Sequence, residues 1–150
     1  MTILQAIEQA NTTADVRNFA FANIAEFNAF IDSFNHLDYP VHVLQPFTTT
    51  QIWLSGRVKN TVTLNGWFLK RIDSDTTNFR AKKIEEDHLQ PMRAKCMAFI
   101  KALLHTNDNT VIDPEVNEVL VTIRPEYALL ATRAFGVSYT LTLPVIEGVC

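Results

Sequence analysis

The sequence predicts an α+β fold: an antiparallel β-sheet with flanking helices in the order α-α-β-β-β-α-β-β. Three observations carry this. Apolar residues recur at helical spacing in the first third and again from Leu89 to Leu104. Between and after these stretches, apolar and polar residues alternate with a period of two. No Pro/Gly-rich linker or internal repeat divides the 150 residues, so one domain, 1–150, is expected, with 1–13 as an N-terminal arm or helix.

Ile3, Leu4 and Ile7 predict a short N-terminal helical turn or two. Asn11-Thr12-Thr13 offers capping oxygens for a second helix, with Asp15 in its first turn. Val16, Phe19, Ile24, Phe27, Phe30, Ile31 and Phe34 then recur at helical spacing, and Tyr39-Pro40 ends the helix near His36. A competing assignment makes Val16 to Phe21 a short strand, because Phe19 and Phe21 alternate with alanine.

Val41–Leu44 lies between Pro40 and Pro46, which suits an edge or a strand end. Thr48–Val58 and Val62–Ile72 are longer β-rich runs. A three-residue loop, Lys59-Asn60-Thr61, would pair Val58 with Val62 and put Ile52, Leu54, Val62, Leu64 and Phe68 on one face. Asn60 would tolerate a left-handed backbone in that loop. The apolar parity runs through Asn65-Gly66 unbroken, which argues against a hairpin there. Asp73–Asn78 is a polar loop. Pro91 suits the first turn of a helix whose stripe is Leu89, Met92, Cys96, Phe99, Ile100, Leu103 and Leu104, with Arg93, Lys95 and Lys101 on a solvated side. After a loop from His105 to Pro114, Val116–Ile123 alternates, Arg124-Pro125-Glu126 turns or bulges, and Leu129–Leu143 forms the last strand, with Val137, Tyr139, Leu141 and Leu143 on one face. Phe27, Phe34, Leu64, Phe68, Phe99, Leu103, Tyr139 and Leu141 are the expected core.

The composition limits function. The net charge of −3 argues against a general nucleic-acid binder. No run of about 18 apolar residues predicts a membrane span. Met1–Thr13 has neither a basic start nor a long apolar run, so no signal peptide is expected. With only Cys96 and Cys150, free thiols and a reducing, cytosolic site of folding follow.

Chemistry is hard to find. His36, His42, His88 and His105 include no pair at metal-binding helical spacing. Cys96, the one cysteine near histidines, lies on an apolar stripe, where a thiol ordinarily packs. Asp73 and Asp75 form a D-x-D that could hold Mg²⁺, but they sit among turn-forming Ser and Thr. Arg80, Lys82 and Lys83 are offset by Glu85, Glu86 and Asp87. No phosphate-cradling glycine motif or nucleophile elbow is present. No catalytic residue, metal or cofactor is expected. Two features stand out. Trp53 and Trp67 fall as cross-strand neighbours, with Leu69, on the face opposite the aliphatic one, which marks them as candidate subunit-interface residues. The loops 73–78 and 105–113 are long and polar.

Tyr39-Pro40 opening a strand, Pro91-Met92-Arg93 opening an amphipathic helix and the closing segment from Gly136 to Pro144 (GVSYTLTLP) resemble small bacteriophage neck proteins of the tail-terminator and tail-completion kind. That resemblance extends from about residue 15 onward, and Met1–Asn11 has no counterpart. It implies a structural, non-enzymatic virion protein without cofactors, assembled in the host bacterial cytoplasm. It implies a ring of identical subunits, often six, that caps the tail tube or connects it to the head. Partners would be other tail-tube or neck proteins, with no membrane. DNA would pass through a channel without specific binding, and Asp73, Asp75, Asp108 and Asp113 are the candidate channel-lining residues. The alternative is a non-enzymatic α+β ligand-binding or regulatory module.

Overall fold

The computed structural model describes residues 2–16, 18–21, 26, 41–54, 57–71, 86, 89–105, 112, 119–129 and 134–145. The architecture is α+β: two described helices pack on one face of a largely antiparallel six-stranded sheet.

Helix α1 (Ile3–Thr13) begins with a capping box. The Thr2 hydroxyl accepts from the Gln5 N–H at 3.2 Å, and the Thr2 N–H donates to Gln5 Oε1 at 2.8 Å. Ile3, Ala6, Ile7, Ala10 and Asn11 are buried, a stripe at i, i+3, i+4, i+7 and i+8. This segment is part of the core rather than an arm. Asn11-Thr12-Thr13 closes α1 instead of opening a second helix. The N–H of Val16 donates to the Asn11 carbonyl and that of Asp15 to the Thr12 carbonyl, with Asp15 at φ 55°. This is a Schellman ending with aspartate at the left-handed position. Lys95 Nζ donates to the Ala14 and Asp15 carbonyls at 3.2 and 3.1 Å, so it ties down the end of α1 instead of standing on a solvated face.

After this reversal the chain forms strand β1 (Asn18–Phe21), parallel to β2 (Val41–Leu44). The alternation of Phe19 and Phe21 prevails over helical spacing here, because residues 18–21 find a strand partner in β2. Phe27 and Phe34 lie outside the described residues. All four residues of β2 are buried, so it is an interior strand. Pro46, which follows it, falls outside the paired positions and removes no ladder donor.

Strands β3 (Thr48–Leu54) and β4 (Arg57–Arg71) form a hairpin in which Leu54 pairs with Arg57. The chain therefore reverses between those two residues. β4 runs straight through Lys59–Thr61, and Asn60 is a buried strand residue. The parity argument for a later loop failed because the reversal falls inside the run Thr48–Val58: Ile52 and Leu54 lie on β3 in the rows of Lys59 and Arg57, while Val58 already lies on β4 in a row of the other face. β2 and β3 follow one another along the same edge of β4 with one extra residue between them. Gln45-Pro46-Phe47 faces only Leu64 and Asn65, a bulge that exchanges the two faces of the strand.

Helix α2 (Gln90–Leu104) carries proline in its first turn and buries Met92, Cys96, Phe99, Ile100 and Leu103. Strands β5 (Val121–Leu129) and β6 (Ala134–Val145) complete the order β1-β2-β4-β6-β5, with β3 also on β4. β5 passes through Arg124-Pro125-Glu126, which is strand rather than turn. An edge strand tolerates proline, and the irregularity comes later, between Glu126 and Leu129. Val62, Leu64 and Phe68 of β4 meet Val137, Tyr139, Leu141 and Leu143 of β6 under the helices.

Two glycines permit close approach. Asn65-Gly66 makes no turn; a Cβ on Gly66 would stand 2.7 Å from the Tyr139 ring. A Cβ on Gly136 would overlap the backbone carbonyl of Phe68. Each substitution to alanine should cost about 1–3 kcal/mol or more, with Gly136→Ala the worse, because backbone cannot swing aside as a ring can. Urea denaturation of the two variants measures this order.

Candidate functional site

The polar chemistry of the described residues converges where both helices meet the sheet. His42 of β2 is fully buried. Its Nδ1 lies 2.7 Å from Asn11 Oδ1 in α1, and its Nε2 lies 2.6 Å from the Tyr139 hydroxyl in β6. An amide oxygen only accepts, so Nδ1 carries the hydrogen and donates. Nε2 then accepts from the tyrosine O–H, and the imidazole is neutral. The ring stacks on Phe68 at 4.3 Å and 10°, meets Phe99 edge-on at 4.5 Å, and lies 5.2 Å from Phe19.

Each position follows from local structure. Asn11 is the last residue of the buried stripe of α1. His42 is directly opposite Phe68 in the ladder, which produces the stack. Tyr139 pairs with Gly66, and the missing side chain there lets its ring reach across to His42.

The electrostatics are those of a dry interior. Burial pushes the His42 imidazole down to about 3 from its ordinary 6.5. Burial likewise pushes the Cys96 thiol up to about 12. Tyr139 is held well above its ordinary value, by burial first and by the neighbouring Cys96 second. All three groups stay uncharged at neutral pH. The Asn11 Nδ2 group has no hydrogen-bond partner, so the bridge leaves one polar atom unsatisfied. Histidine, cysteine and tyrosine together could relay a proton, but here they are packed among phenylalanines with at most 2% exposure. A free thiol held protonated is a poor nucleophile. Among the described residues, no three His, Cys, Asp or Glu side chains gather as metal ligands. No described helix is long and apolar enough to cross a membrane.

The second sheet face divides in two. Val41, Val43 and Leu69 are fully buried within the chain itself. Beyond them the face is polar. Thr140 donates to Asn65 at 2.9 Å, Ser138 donates to Glu126 at 2.9 Å, and the Thr63 and Thr142 hydroxyls lie 3.4 Å apart. Trp67, half-buried, stands at the boundary, paired with Val43 on one side and Ser138 on the other.

The expected tryptophan pair is not formed. Trp53 pairs with Val58, whose row belongs to the face of Val62 and Leu64, and Trp67 belongs to the opposite face. The cause is the reversal between Leu54 and Arg57, which pairs Trp53 with Val58 instead of Trp67. Leu69 is interior rather than an accessible anchor. Asp73, Asp75, Asp108 and Asp113 lie outside the described residues. His42 was passed over in the sequence because no ligand spacing surrounds it. The available signal was a histidine inside a short β-rich segment, where a neutral, hydrogen-bonded ring is the ordinary outcome.

The chain matches no model of a known protein family, and comparison with curated proteins finds no match.

The bridge predicts acid sensitivity. Because the folded pKa of His42 lies below the unfolded one, the unfolded chain binds the proton first. The stability that His42 contributes is therefore complete above pH 6.5 and is lost as pH falls toward 3, at up to about 1.4 kcal/mol per unit. His42→Gln removes this titration, so its deficit relative to the native chain should shrink between pH 7 and pH 4 in chemical denaturation. Tyr139→Phe, which orphans Nε2, should cost about 1–3 kcal/mol at pH 7.

Proposed function

We propose that the chain is a structural virion subunit of a bacteriophage neck or tail, built into a homo-oligomeric ring that caps the tail tube or connects it to the head. One observation carries this proposal: among the described residues, His42, Cys96 and Tyr139 are sealed in a packed interior, while the sheet offers a broad polar face. His42, Cys96 and Tyr139 brace the fold. Thr63, Asn65, Ser138, Thr140 and Thr142 present hydroxyl and amide groups on a sheet surface rimmed by Trp67. Such a surface suits subunit packing, and tryptophan is a preferred interface anchor. A ligand-binding or regulatory module would need a cavity with converging polar groups. Between helices and sheet, that space is filled by His42, Phe68, Phe99 and Tyr139.

In this proposal the protein has no catalytic residue or cofactor and is assembled in the bacterial cytoplasm before incorporation into the virion. Its partners are copies of itself and other neck or tail-tube proteins. Trp67 remains an interface candidate, with Leu69 supporting it from inside the chain and Trp53 on the β3 strand. One acidic loop, that of Asp73 and Asp75 or that of Asp108 and Asp113, lines the channel in this proposal, and a net charge of −3 favours DNA passage by repulsion over adhesion.

Purified chain should sediment as a defined multiple of 17.0 kDa and show closed rings by negative-stain microscopy. A monomer at every concentration up to hundreds of micromolar would contradict the proposal.

A further inference from the structure

Among the described residues the sheet is open at both ends. In the order β1-β2-β4-β6-β5, β1 and β5 each have a strand partner on one side only among the described residues. The two large hydrophobic side chains exposed among those residues mark the same two edges. Phe21, 44% exposed, ends β1, and Leu120, 80% exposed, immediately precedes β5. The core also reaches the surface there: Phe19 in β1 and Val121 and Ile123 in β5 are only partly buried against it. Unpaired apolar edges invite another strand. β5 is guarded from Pro125 onward, by the proline and by the irregularity that follows Glu126. That leaves Val121–Arg124 unguarded, a segment as long as the four residues of β1.

Strand direction and face then agree. β1 is parallel to β2, while β2 and β4, β4 and β6, and β6 and β5 are antiparallel pairs. β5 therefore runs opposite to β1. Rotation about an axis along the strands keeps their directions, so β5 of one copy meets β1 of the next antiparallel. The start of β5 then lies beside the end of β1. Ile123 shares a row with Tyr139, Gly66, Leu44 and Phe21, the row that faces the helices. Keeping that face continuous across the junction sets Val121 against Phe21 and Ile123 against Phe19, with Leu120 at the Phe21 end.

We infer that identical copies of this chain join edge to edge, with Val121–Arg124 of one subunit pairing antiparallel with Asn18–Phe21 of the next. The inference rests on the ring proposed above and names its contact. The two patches differ, so the interface is head-to-tail, the kind that generates rings. Its occupant is a second copy of the chain because one edge supplies what the other lacks.

The test uses the full chain with Leu120→Glu and Phe21→Glu, followed by sedimentation and by circular dichroism to check folding. Each variant should remain folded and weaken self-association roughly tenfold or more. Mixed together, they should form a one-to-one dimer that does not grow, since one intact Leu120 edge meets one intact Phe21 edge. If glutamate at position 21 unfolds the chain, Phe21→Ser carries the same arm. Loss of assembly by the Leu120 variant alone would show a symmetric contact and overturn the inference. An oligomer that survives both substitutions would overturn it and leave the ring standing. A monomeric native chain would remove the ring itself.

Discussion

A neutral imidazole buried between two helices and a sheet constrains everything around it. His42 can stay in a dry interior only if one ring nitrogen finds an acceptor and the other a donor. Asn11 supplies the first, which sets the rotation of α1 and requires its last buried turn to lie over β2. Tyr139 supplies the second, which requires glycine at position 66 so that the phenol can reach across the strand. Phe68 and Phe99 enclose the ring and keep water from competing. Helix α2 reaches the same point through Phe99 and Cys96, and holds the end of α1 through Lys95. Sheet, first helix and second helix are thus joined at a single residue by directional bonds that apolar packing alone would not provide.

The sheet solves a second problem. β4 is 15 residues long and must serve β2 at one end and β3 at the other on the same side. The extra residue in Gln45-Pro46-Phe47 allows this and exchanges the faces. As a result, His42 and Leu44 on one side of the bulge and Thr49, Gln51 and Trp53 on the other share rows with the helix-facing residues of β4. On the far face, a sealed apolar patch under Val41, Val43 and Leu69 gives way to a hydroxyl-rich surface on β4, β6 and β5.

Elements with clear periodicity were legible in the sequence. The stripe from Met92 to Leu103 placed α2, the alternation from Val137 to Leu143 placed β6, and unbroken parity carried β4 through Gly66. The failures have definite causes. Residues 18–21 satisfy both helical and strand patterns, and only pairing with a strand twenty residues later decides between them. The hairpin was placed four residues late because Thr48–Val58 was counted as one strand, whereas the chain reverses inside it, between Leu54 and Arg57. That second error joined the tryptophans that the structure separates. His42 carries no sequence signature because its partners lie 31 and 97 residues away and belong to other elements. The open polar face was partly visible in Ser138, Thr140 and Thr142, yet its division into a sealed and a bare half depends on packing that no local pattern encodes.

The assembly proposed for this chain presumes a well-packed subunit, and His42 is where α1 and the sheet are joined by hydrogen bonds. Nitrogen-detected NMR of the histidine side chains tests that most directly. His42 should give one neutral tautomer with hydrogen on Nδ1, and its ring nitrogens should keep their shifts as the folded protein is taken from pH 8 to pH 5. A His42 ring that titrates near its ordinary 6.5, or that carries its hydrogen on Nε2, would contradict the account.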